Sequence, residues 1–146
     1  MKPTILAGAT AIMLGAVYCV PTALAGETPS KPGANVYIVA PSHGQTVGGS
    51  VKVVFGLNGM GVAPAGIEKE GTGHHHLMVN MDASTVDMDA PLPADDNHIH
   101  FGGGQTETIL NLAPGEHTLQ LVLADHNHIP HNPPVISEKI TIMVAE

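Results

Sequence analysis

From Val36 to Val144, apolar residues recur at every second position in short runs, most of them closed by Gly, Pro, Asn or Asp. Period two places apolar side chains on one face of an extended chain. No stretch carries the three-and-four spacing of a capped helix. The runs cover 36–39, 51–57, 74–82, 97–101 and 108–112, then a segment around Leu119, Leu121 and Leu123, then 140–144. About seven short strands separated by turns predict an all-β fold, an antiparallel sandwich of immunoglobulin or fibronectin type. Leu77, Val79 and Met81 are expected to share the inner face of the third strand. The segment 83–96 reads as an acidic connection, and 125–134 as a rigid loop in which three prolines fix φ.

Ahead of the strands lies a different kind of segment. Lys2 is followed by an apolar stretch over 5–20, then Pro21 and the small-x-small triplet Ala23-Leu24-Ala25. That is the layout of a cleavable signal peptide over residues 1–25. The apolar stretch is shorter than the roughly 20 residues that span a bilayer, so no membrane insertion is expected after cleavage. Tyr18 before Cys19 disfavours lipid attachment, which calls for a small residue there. The expected organisation is a signal peptide, a flexible tether over 26–34 rich in Pro and Gly, and one domain over 35–146. Such a chain is bound for the periplasm or the exterior.

Cys19 is the single cysteine and leaves with the signal peptide. The exported domain therefore has no disulfide, and no thiolate for a blue-copper site, a zinc finger or cysteine catalysis. Five Lys and Arg stand against 13 Asp and Glu, for a formal net charge of −8. That balance argues against nucleic acid and anionic membrane as partners.

The residue in excess is histidine, with ten in the chain. Three groups each contain a His-x-His pair: His74-His75-His76; His98 and His100; and His126, His128 and His131. On a strand, i and i+2 share a face about 6.5–7 Å apart, and two imidazoles so placed can converge on one ion. His74, His76, His98, His100, His126, His128 and His131 are thus candidate metal ligands. Glu107 and Asp125 are possible additional ligands or hydrogen-bond acceptors behind them. The competing reading is structural, because Asp95, Asp96 and Asp125 could satisfy imidazoles without an ion. His43 and His117 stand alone and read as structural. Gly102-Gly103-Gly104 precedes a strand and not a helix, so it reads as a turn and not a phosphate cradle.

The segments GHHHL from Gly73, NHIHFGGGQTE from Asn97 and DHNHIPH from Asp125 resemble the signature of a bacterial family defined as a domain of unknown function and found in exported proteins. The resemblance runs over about 73–141. It implies a shared fold and no particular activity.

Imidazole with carboxylate suits copper or zinc. Met60, Met78 and Met81 could add thioether for copper(I), although a core role is expected for Met81. The favoured function is an exported protein that buffers or delivers copper or zinc, with the ion and another exported metal-handling protein as partners. Two alternatives stay open: a recognition module whose histidines are structural or sense pH, and a metal-dependent enzyme. Copper–zinc superoxide dismutases place His-x-His pairs on a sandwich but use a disulfide this domain lacks. Metal binding is expected to weaken as pH falls through roughly 6.5.

Strand parity adds a geometric expectation. Successive connections of an antiparallel sandwich alternate between two poles. The three histidine groups, with Glu107 and Asp125, should then meet at one pole, and His43 and His117 should lie at the other.

Overall fold

The computed structural model describes residues 26–146, so the expected signal peptide and Cys19 lie outside the described residues. The chain forms β1 (Asn35–Ala40), β2 (Thr46–Val47), β3 (Ser50–Asn58), β4 (Gly61–Val62) and β5 (Thr72–Val79). A 3-10 turn, η1 (Ala83–Thr85), precedes β6 (His98–His100), β7 (Glu107–Asn111), β8 (Gly115–Ala124), β9 (Pro130–Ile136) and β10 (Ile140–Val144). Among the described residues no helix is long and apolar enough to cross a membrane.

Two sheets face each other. One has the order β1-β3-β7; the other runs β2-β10-β8-β5-β4, with β6 added on β5 and β9 on β8. The alternating apolar residues meet between them. Val36, Val51, Val53, Phe55 and Leu110 from the first sheet pack on Leu77, Val79, Leu119, Leu121, Leu123 and Ile142 from the second. Each fully buried leucine contributes about 2 kcal/mol of transfer free energy. The fold is the expected all-β sandwich, and the seven expected strands are present.

Three features depart from expectation. First, β9 occupies part of the segment read as a loop. Pro133 and Pro134 are tolerated there because they fall in the register break between the Ala124–Pro130 and Leu123–Val135 pairs, where β9 has no β8 partner, and both prolines are exposed. Second, β2 pairs parallel with β10 and β4 parallel with β5, so the second sheet is mixed at its short edges.

Third, residues 26–34 are not a free tether. Pro29 bridges Asn132 on β9, Ser30 N–H donates to the Asn132 carbonyl, and Asn132 N–H donates to that of Thr28. Lys31 pairs with Glu70. A polar, Pro-rich composition masks these backbone bonds, because they need no particular side chain.

The second sheet is covered on both faces. Along β5, His75, Leu77 and Val79 face the inter-sheet core, while His74, His76 and Met78 face the other way and are still buried. Their cover is the connection from β5 to β6 and the loop from β8 to β9. Met78, Ala83, Leu92, Val122 and Ala124 form a second small core there, with Met81 and Met88 packed against it. Met81 therefore belongs to this outer core and not to the inner face of a strand. Asn80, at φ 58°, ends β5 and takes Met81 out of the strand's alternation.

Candidate metal centre

β5 runs antiparallel between β8 and β6. Its alternation puts His74 and His76 on one face, with relative exposures of 0% and 1%. The β5–β6 register sets His100 directly opposite His76. His128 comes in from the β8–β9 loop. The four rings are all in mutual contact, with centroid separations from 4.6 Å (His100–His128) to 6.0 Å (His76–His128). His74 lies 4.9, 5.0 and 5.1 Å from His76, His100 and His128. One imidazole group from each of three chain segments has met.

The loop holding His128 is organised by Asp125. Its carboxylate accepts from Asn127 N–H at 2.8 Å, Ile129 N–H at 3.0 Å and the Thr28 hydroxyl at 2.6 Å. His128 itself sits in the left-handed region at φ 69°. That conformation costs on the order of 1 kcal/mol and is secured on both sides. His128 N–H donates to the Asp125 carbonyl, and Leu92 N–H donates to that of His128. Gly102 makes room for His100, since a Cβ there would fall 2.3 Å from the ring Cε1 and 2.6 Å from Nε2.

Ligand atoms of His74, His76 and His100 lie within 4.8 Å of one another. The Nε2 atoms of His74 and His76 are 3.1 Å apart. An ion with nitrogens at 2.0–2.1 Å in a tetrahedron sets them about 3.3 Å apart. Three buried ring nitrogens in the cluster have no hydrogen-bond partner: His74 Nδ1, His76 Nδ1 and His100 Nε2. Each such orphan costs about 1–3 kcal/mol. The cluster is able to hold a metal ion.

Burial disfavours the charged form of His74, His76 and His100. Desolvation, reinforced by His100 and His128, lowers the His74 pKa to about 4, although Asp125 works in the opposite direction. Desolvation followed by the neighbouring imidazoles lowers His76 to about 3. His100 is lowered by burial and by His128. Metal coordination needs neutral imidazole, and His74 and His76 could offer it well below pH 6.5. For these two metal-free rings burial puts protonation below the 6.5 of solvated histidines, at about 4 for His74 and about 3 for His76.

The remaining expected residues lie elsewhere. His98 shares the face of His100 but sits one pair further along, opposite Met78, with Nδ1 2.8 Å from Asp95 Oδ1. His126 points outward, its Nε2 2.9 Å from Asn127 Nδ2. His131 lies on the other face of the sheet, with ring nitrogens 3.1 Å from the Thr72 carbonyl and 3.3 Å from that of Leu123. A break in the β8–β9 register between Leu123 and Ala124 puts it there. Glu107 starts β7 on the first sheet, exposed and paired with Lys52 at 3.1 Å. Asp125 shapes the loop. Burial acts to raise its pKa, but the Thr28 hydroxyl and the Ile129 and Asn127 amides outweigh that and hold it below the ordinary value.

His75 faces the core, 5.1 Å from Phe55, and is kept neutral by burial. Neither of its ring nitrogens closes a hydrogen bond, though the Gln105 backbone is near enough to oppose that shift. As parity predicts, His43 and His117 are remote. His43 Nδ1 accepts from Thr141 N–H, and His117 contacts Asn80 and the Ala113 carbonyl. All four clustered histidines were legible as candidates. The positioning roles of Gly102 and Leu92 were not: the triple glycine signalled only a turn, and Leu92 acts through its backbone.

No curated protein and no solved structure matches the chain. One family model does, over residues 53–145, and that span holds the four clustered histidines together with Gly102 and Asp125. The chain belongs to the family described as a domain of unknown function (DUF4399).

Proposed function

We propose that this is an exported metal-binding protein, periplasmic or secreted, that buffers or delivers copper or zinc. The ion is held among His74, His76, His100 and His128. The observation that carries the reading is the convergence of four imidazoles from three separate segments, three of which keep a buried ring nitrogen with no hydrogen-bond partner. Structural histidines have no reason to gather into a single contact cluster while leaving polar atoms unpaired.

An all-nitrogen donor set suits copper(II) and zinc. Two of the rings are fully buried and two are partly open, which leaves a side from which the ion enters and from which another exported metal-handling protein can collect it. The deciding experiment is metal analysis of the purified, untagged protein, followed by titration with Zn²⁺ and Cu²⁺ at pH 7.5. One ion bound with micromolar or tighter affinity, lost on replacing His100 and His128, supports the reading. Absence of binding overturns it.

A further inference from the structure

His98 is not part of the four-ring cluster, yet it has the features of a ligand. It is 8% exposed. Its Nδ1 is engaged by the Asp95 carboxylate, which also accepts from the backbone N–H groups of Asn97 and His98 and is therefore itself held in place. A carboxylate on one ring nitrogen fixes the proton there and leaves the other nitrogen as a bare lone pair. That other nitrogen, Nε2, is buried and has no partner.

Two thioethers lie close to His98 in the fold. Met78 is its direct cross-strand partner on the same face. Met81 shares with it the wall of a cavity of about 300 Å³, completed by Thr85, Val86, Asp87 and two prolines. Met78 and Met81 both belong to the outer core beneath the β5–β6 connection. One buried imidazole lone pair beside two thioether side chains is poorly suited to a hard or strongly hydrated cation. Thioether and imidazole together select copper(I) over divalent ions.

We propose that His98, Met78 and Met81 form a second metal site, which takes a soft monovalent ion of the copper(I) class. The donor types of this sheet face then change along its length. His74, His76 and His100 give nitrogen at one end, and one residue pair further along Met78 and His98 give sulfur and nitrogen. The two sites have separate ligands, so the second stands whether or not the first binds zinc or copper(II).

Silver(I) is a redox-inert probe for such a site. The purified protein, labelled at the methionine methyl groups, is first given one equivalent of Zn²⁺ and then Ag⁺, while the methyl resonances are followed by NMR. The expected result is one tightly bound Ag⁺ that shifts the Met78 and Met81 methyls and leaves Met60 unmoved. His98→Phe and the paired Met78→Leu and Met81→Leu substitutions should each weaken Ag⁺ binding at least about tenfold, and Asp95→Asn by about 10–100-fold. Leucine conserves volume, and an unchanged melting temperature of the metal-free leucine variant shows that folding is intact.

Ag⁺ that leaves the Met78 and Met81 methyls in place, or binds equally well to the leucine variant, overturns the proposal. Failure of Zn²⁺ to bind while Ag⁺ still moves these methyls removes the imidazole site and leaves this one standing.

Discussion

The Nε2 atoms of His74 and His76 face each other at 3.1 Å, so at most one of them carries a proton when both rings are neutral. Protonating both would set two positive charges side by side in a buried space. That pair dictates how the metal-free protein responds to acid. The unfolded rings titrate near 6.5, the folded ones only at about 4 and about 3. Between those values the unfolded chain binds more protons, and stability falls as pH falls. Each proton of difference contributes about 1.4 kcal/mol per pH unit. In the presence of chelator, the melting temperature should be flat above pH 7 and drop steadily from 6.5 toward 4. Replacing both rings by leucine should flatten that slope, and an unchanged slope would show that the pair does not titrate as described.

Removing partly open ligands should separate binding from folding. His100→Ala and His128→Ala are each expected to weaken Zn²⁺ or Cu²⁺ binding by about tenfold or more, while the metal-free melting temperature stays close to that of the parent. His43→Ala and His117→Ala, at the other pole, should leave affinity untouched. Competition titration against a chromophoric chelator distinguishes the two groups.

Gly102→Ala tests the space reserved for His100. A methyl group at 2.3 Å from the ring forces it aside, and the ring can swing because it is only half-buried. Metal affinity should fall by about tenfold with little loss of stability. Gly48→Ala, where a Cβ meets nothing within 4 Å, serves as the matched control in the same titration.

Asp125→Ala removes the acceptor for two backbone amides and the Thr28 hydroxyl in one step. Leaving such donors unpaired costs about 1–3 kcal/mol each where they are buried. Denaturant unfolding should show a loss of at least about 2 kcal/mol. Thr28→Ala should reproduce only the smaller part of it. An Asp125→Ala protein of parental stability would mean that the loop does not depend on this carboxylate.

The strands were legible because each has one face in the inter-sheet core, and period two survives wherever that holds. β9 was not, since its prolines read as loop and are admissible only because they fall in the β8–β9 register break. His74, His76 and His100 were legible for the same reason as the strands: i and i+2 share a face on β5 and β6. Parity reaches no further than the strands, however. His126 and His128 lie in a turn, where the left-handed backbone of His128 decides which ring points in. His131 follows a register break and emerges on the opposite face. Glu107 was expected beside the histidines because it starts a strand at the right pole, but β7 belongs to the other sheet. Which sheet a strand joins depends on pairing between distant segments, and alternation within one strand does not encode it.

β6 is three residues long and pairs with β5 alone, whereas β5 lies between β8 on one edge and β4 and β6 on the other. Two of the clustered imidazoles are thus fixed to the best-protected strand, and two to segments that can open by themselves. If the proposed site holds an ion, its release would require only that β6 and the β8–β9 loop fray, at a small fraction of the free energy of global unfolding. Residence time would then be set by that local opening and equilibrium affinity by the closed cluster, so the proposed site could hold an ion tightly and still surrender it quickly.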